Sequence, residues 1–305
     1  MRQVSAIDSL DPGGSLGGSV DPWALATLPL RAVPSDAALL KKPRYLGVRP
    51  RSRRVSLLVR ITVPALLLAG WWFGTASGRI PESVLASPRQ VITALAELRQ
   101  TGELREFLFA SLGRAGLGLA LGAGAGLVLG VIAGLTALGE ELVDPTMQML
   151  RAVPFLALVP LLISWFGIDE RFKVVLIAAA SAFPMYAYSY LGVRGVDRKL
   201  VEAARSFGLH GWRLLAKVIL PSALPNLLMA LRICMAISVV GLIAAEQVGT
   251  TKGIGYLVLL AKQYYRQDYM VLCIVFYAAW GLVLDGMIRI LERTLMPWRR
   301  GSTAR

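Results

Sequence analysis

The chain has 305 residues, 55% of them hydrophobic, with a formal net charge of +14 and a mean hydropathy of +0.59. The apolar residues are gathered into long blocks, which marks an all-α polytopic membrane protein and excludes an ordinary soluble domain. Lys and Arg cluster beside those blocks, as the positive-inside bias requires, and no soluble basic domain is left over to bind nucleic acid.

In chain order, residues 1–54 read as a cytoplasmic, disordered basic tail rich in Pro, Gly and Ser. Its end carries Lys41, Lys42, Arg44, Arg49, Arg51, Arg53 and Arg54, which are read as orienting the first span, with anionic-lipid binding as the lesser alternative. The first long apolar run starts too far into the chain for a cleavable signal peptide to be visible. Residues 55–298 form the expected transmembrane domain, and 299–305 a short cytoplasmic tail. Six spans are predicted: Val55 to Gly74, Leu108 to Leu135, Met147 to Phe166, Phe172 to Gly192, Leu224 to Ala245 and Met270 to Leu291. Pro154 and Pro160 make the third a kinked helix. Six spans place both termini in the cytoplasm, with Gly139-Glu140-Glu141 as an inner loop, and Trp71, Trp72, Trp165 and Trp298 as interfacial anchors.

Outside, Arg79 to Glu106 carries Val91, Leu95 and Leu98 at the spacing of one helix face. A second outer loop, Gln247 to Tyr269, holds Gly249, Gly253 and Gly255 before Tyr264, Tyr265 and Tyr269. It reads either as a substrate mouth or as an interfacial belt. In the second span Gly118, Gly122, Gly126, Gly130 and Gly134 recur at every fourth position, so they share one ridge. Such a ridge predicts close helix packing, within one subunit or between two. Cys234 and Cys273 lie in apolar runs and read as small buried hydrophobes.

The loop at 194–223 is too charged for hydrocarbon yet keeps a helical pattern. Asp197 suits an N-cap, and Leu200, Val201, Ala204 and Phe207 follow on one face. Gly208 ends that helix, Gly211 turns the chain, Trp212, Leu215 and Ile219 make a second apolar stripe, and Pro221 closes the unit. Arg213 and Lys217 stay on the wet face. The result is a helical hairpin projecting from the membrane, suited to another protein's groove. His210, the only histidine, sits in its turn and reads as a surface contact. Of the charges near the spans, Asp285 has Arg289 one turn later, which suggests a local pair. Glu246 has no evident sequence partner and reads equally as a gate or path residue near the outer mouth and as an interfacial carboxylate.

The pattern Glu202-Ala203-Ala204, three residues, Gly208, nine residues, Val218, one residue, Leu220-Pro221 resembles the loop of membrane subunits of bacterial binding-protein-dependent ABC importers. Val218 stands where that pattern has Ile. Met149-Leu150-Arg151-Ala152-Val153-Pro154, Ser164-Trp165-Phe166-Gly167-Ile168-Asp169, Ala244-Ala245-Glu246 and Gly253-Ile254-Gly255-Tyr256-Leu257 are similar to the branch of aliphatic sulfonate, taurine and nitrate permeases, sulfonate members most of all.

The resemblance implies a type I importer in the bacterial inner membrane: two copies of this subunit, two cytoplasmic ATPase subunits and an extracytoplasmic solute-binding protein for a small solute. The hairpin is then the coupling helix, with Glu202 as polar contact, Ala203 and Ala204 allowing close approach and Gly208 setting the bend. The chain has no Gly-x-x-x-x-Gly-Lys-Ser/Thr loop, so it is expected to be catalytically silent and free of cofactors, with ATP and Mg held by the partner. A secondary transporter calls for intramembrane acidic sites or pseudo-symmetric halves, and a membrane enzyme for a cluster of His, Asp or Glu; neither pattern is evident.

Overall fold

The computed structural model describes residues 53–297. Most of the basic tail, Trp298 and the 299–305 segment lie outside those residues. One compact unit begins at Thr62, and residues 53–61 are described only as the opening of helix α1 (Arg53–Ala76). Among the described residues every regular element is helical.

Ser87 starts α2 (Pro88–Gln100) with a capping box: its Oγ accepts from Gln90 N, and the Gln90 side chain accepts from Ser87 N at 2.8 Å. Val91, Ala94 and Leu98 form the buried face, while Leu95 packs half-buried beside it. Gly102, at φ 80, turns the chain into α3 (Glu103–Leu135). Thr136 ends α3 and caps α4 (Ala137–Ala152), its Oγ1 accepting from Gly139 N at 3.0 Å. Gly139, Glu140 and Glu141 are therefore the first turn of a helix and not an inner loop.

The third expected span is not one kinked helix. Val153, forced extended by the following Pro154, stops α4; a 3₁₀ turn follows at Phe155–Leu158, and Pro160 begins α5 (Val159–Phe166). The two halves meet at 86°. Gly167, at φ 72, then leads to α6 (Glu170–Arg194). After α7 (Arg198–Ser206), α8 (Gly211–Leu214) runs through a π-helical turn at Leu215–Ile219 into α9 (Leu220–Glu246). The loop expected outside, Gln247 to Tyr269, contains a helix that residue spacing did not reveal, α10 (Ile254–Gln263), before α11 (Gln267–Leu295).

Among the described residues four runs are long and apolar enough to cross a membrane: α3, α6, Gly211–Glu246 and α11. The α4–α5 pair makes a fifth if counted as one broken span, and the apolar part of α1, Ile61–Ala76, is shorter.

The centre of the unit is α6, packed between α3 and α9. The five ridge glycines of α3, at 118, 122, 126, 130 and 134, face α6: a Cβ on Gly122 or Gly126 would overlap the carbonyl oxygen of Ala178 or Ala182, and one on Gly118 would stand 2.6 Å from Ile177 Cβ. Gly130 and Gly134 meet Tyr186, Ser189 and Val193 just as closely. Only a residue without a side chain allows two backbones this near, so the ridge is the α3–α6 seam. At the end away from the 194–223 hairpin, α2, α10 and the first turns of α3 and α11 enclose a separate apolar cluster of Leu98, Phe107, Ile254, Leu257 and Leu272.

Candidate functional site

Two features stand at opposite ends of the unit. The first is the hairpin. Asp197 Oδ1 accepts from Lys199 N at 2.9 Å and starts α7. Gly208 ends it in the left-handed region at φ 80, with Gly208 N donating to Arg205 O and Leu209 N to Ala204 O. This pair of bonds is a Schellman closure, which glycine makes at the lowest cost. Gly211, at φ 52, reverses the chain into α8.

Ala204 and Leu214 turn inward and are buried, whereas Glu202, Ala203, Gly208 and His210 are exposed. Phe207 and Trp212 are 87% and 72% exposed, so the tip presents two aromatic rings that this chain alone does not cover. Pro221 does not close the unit, as the spacing suggests. It lies in the first turn of α9, where a missing N–H is tolerated, and the run from Gly211 to Glu246 continues unbroken for 36 residues. Leu220 and Pro221 instead face Leu127, Val128 and Val131 of α3 across an apolar groove.

The second feature surrounds Glu246, the last residue of α9. Its side chain is fully buried, so it is not an exposed interfacial carboxylate. Ser111 Oγ donates to it at 2.7 Å, Arg114 Nη1 at 2.7 Å and Gly255 N at 2.7 Å. Ser111 Oγ also accepts from Ile254 N at 2.9 Å. The carboxylate thus caps the N-terminus of α10, where unpaired N–H groups and the helix dipole favour an anion. Gly253 and Gly255 have no room for a Cβ, which would strike Glu246 in either case, and Gly253 has φ 128. That contact accounts for glycine at both positions of Gly253-Ile254-Gly255.

Arg114 extends the network. Its Nη1 also donates to Lys252 O at 2.6 Å, and its Nε and Nη2 grip Glu170 at 2.5 and 2.7 Å in a bidentate fork. Lys173 Nζ donates to the same Glu170 at 3.0 Å. Arg114 and Lys173 are buried while the Glu170 side chain is 60% exposed. Two cations and two carboxylates therefore tie α3, α6, α9 and α10 together. Residue spacing missed Ser111, Arg114, Glu170 and Lys173. The available signal was a charge inside an apolar run, which Arg114, Lys173 and Arg232 all are. Arg232 on α9 reaches Glu292 at 3.3 Å and Asp285 at 3.6 Å, and Arg289 Nε bonds Asp285 at 2.7 Å.

Residues 126–297 match the family model described as binding-protein-dependent transport system inner membrane component. The chain belongs to this family. It is 39% identical over 265 residues to the putative aliphatic sulfonates transport permease protein SsuC of Bacillus subtilis (strain 168), covering 86% of this chain and 96% of that protein. The protein of the same name from Escherichia coli (strain K12) is 42% identical over 236 residues, 77% of this chain and 90% of that one. Among solved structures, an amino acid ABC transporter crystallised with histidines superposes with a TM-score of 0.53 at 21% identity, over 66% of this chain and 97% of that one.

The fold is that of a type I ABC importer permease, and the chain is a multi-pass inner-membrane component of a binding-protein-dependent transport system.

Proposed function

We propose that two copies of this chain form the path through which an ATP-driven importer brings aliphatic sulfonates into the cell. What supports the substrate is the 39% and 42% identity, over most of the chain, to two proteins named for aliphatic sulfonates. ATP and Mg belong to two separate ATPase subunits, and this chain is catalytically silent. Both termini and the hairpin lie in the cytoplasm, as Arg198, Lys199, Arg205, Arg213 and Lys217 around the hairpin favour.

In this reading the hairpin seats in the ATPase. Glu202 supplies the polar contact, Ala203 and Ala204 the close approach and Gly208 the bend, while Leu220 and Pro221 carry the second arm into α9. The exposed rings of Phe207 and Trp212 are buried on assembly. Closure of the ATPases on ATP moves both hairpins, and the displacement travels along α9 as a rigid body. At its far end Glu246 holds α10 and, through Arg114, the starts of α3 and α6. Glu246 thereby acts as a gate residue by fixing the outer segment to the moving helix, not by touching the solute.

The test is uptake of ethanesulfonate by proteoliposomes containing this chain, its ATPase and its binding protein. Uptake that requires ATP and the binding protein supports the reading. Uptake by this chain alone, or none by the full assembly, overturns it.

A further inference from the structure

We propose that Arg151 lines the translocation path at mid-depth and binds the sulfonate group of the passing solute. The inference rests on the sulfonate reading above and adds a site to it. Helices α4 and α6 run antiparallel in a register set by two hydrogen bonds, Tyr190 Oη to Glu140 Oε1 at 2.6 Å and Tyr186 Oη to Asp144 Oδ1 at 2.9 Å. Arg194, at the inner end of α6, also pairs with Glu140 and marks that level as the membrane edge.

Arg151 comes eleven residues after Glu140, about 16 Å further along the helix, and thus roughly halfway through a hydrocarbon layer of about 30 Å. It occupies the last turn of α4, just before the 86° break. Discontinuous helices at this depth are where transporters place solute sites. Arg151 is exposed and has no hydrogen bond or ion pair with any of the described residues. The C-terminal dipole of α4 favours a cation there but leaves its five donors unused.

An unpaired guanidinium facing lipid at mid-depth is costly, so this face of the broken span borders water. The two nearby carboxylates do not neutralise it: Asp144 holds Tyr186, and Glu140 holds Tyr190 and Arg194. Arg151 and Gln148 line a pocket with Asp144, Tyr186 and Tyr190, whose polar atoms are engaged in the register bonds above, and with the apolar Met147, Phe183 and Leu191. The combination matches a small amphiphilic anion. The guanidinium fork and the amide meet sulfonate oxygens, and the apolar side chains meet a short alkyl chain.

The test uses the whole importer. Arg151→Ala is expected to lower ethanesulfonate uptake roughly tenfold or more, the loss of one charge-assisted contact, with Arg151→Lys intermediate because it keeps charge without the fork. Uptake by Arg151→Ala within twofold of the parent overturns the proposal. Arg151→Cys, should the alanine variant fail to assemble, is treated with an anionic, membrane-impermeant thiol reagent against the parent chain, whose cysteines are both buried. Labelling that ethanesulfonate slows supports the site, and no labelling in any nucleotide state refutes it. If the parent moves a different anion, the sulfonate reading falls, and protection of the same thiol by that anion decides the fate of Arg151 separately.

Discussion

Trp212 and Glu246 stand near opposite ends of one unbroken helical run, Gly211–Glu246. One is an exposed ring at the tip of the hairpin, and the other is a fully buried carboxylate that closes the opposite end of the unit. At 1.5 Å per residue the run is about 54 Å long, so in the proposed mechanism a push on the hairpin would reach Glu246 through a single rod. Two glycines inserted between Ile219 and Leu220 break the rod. Reconstituted importer carrying this insertion is expected to keep its ATPase bound while ATPase stimulation by loaded binding protein drops below about a tenth of the parent value, because glycine releases helical rigidity. Full stimulation would contradict a rigid α9.

The Glu246 network is expected to be costly to break on one side and cheaper to remove whole. Glu246→Ala removes one of the two carboxylates paired with the buried Arg114, leaves Gly255 N without its acceptor, and is predicted to destabilise the subunit by about 1–3 kcal/mol. The double change Arg114→Met, Glu246→Leu should be less destabilising than the sum of the two single changes, since the partners touch. Thermal unfolding of the detergent-solubilised protein measures both. Strict additivity would mean that the two groups do not depend on each other.

Gly122 and Gly124 separate packing from helix propensity. A Cβ on Gly122 overlaps the backbone of Ala178, whereas one on Gly124 meets nothing within 4 Å. Gly122→Val is predicted to cost about 1–3 kcal/mol or to prevent folding. Gly124→Ala should be neutral or stabilising, by about 1 kcal/mol at most. Unfolding temperatures in one detergent make the comparison, and equal shifts would rule out the α3–α6 seam as the reason for the glycine ridge.

How far residue spacing reaches is clear from particular cases. The apolar runs of α3, α6, α9 and α11 are local and mark themselves, and so does the hairpin, whose turn needs glycines at 208 and 211. Glycines at every fourth position announce a close approach, but their partner on α6 lies nearly sixty residues away and leaves no local trace. Glu246 has no partner close to it along the chain for the same reason: Ser111 and Arg114 are 135 and 132 residues distant. The break between α4 and α5 falls at two prolines that signal an interruption without setting its 86° angle.

At the hairpin, Gly208→Val forces a branched side chain into φ 80, which costs about 1–2 kcal/mol and misdirects the tip. Trp212→Ala leaves the fold alone, since the ring is exposed, and is predicted to weaken ATPase binding at least tenfold, as loss of a central aromatic anchor does. Co-purification of the ATPase, set beside unfolding temperature, distinguishes the two: Gly208→Val lowers both, Trp212→Ala only the first. Unchanged co-purification in both would leave the hairpin without its assigned partner.

The most direct measurement is ATPase activity of the reconstituted importer carrying Glu202→Arg, with and without loaded binding protein. The expected result is normal membrane insertion with the stimulation abolished, because the reversed charge unseats the hairpin while α3, α6 and α9 stay packed. Stimulation equal to that of the parent would contradict the coupling role of the hairpin.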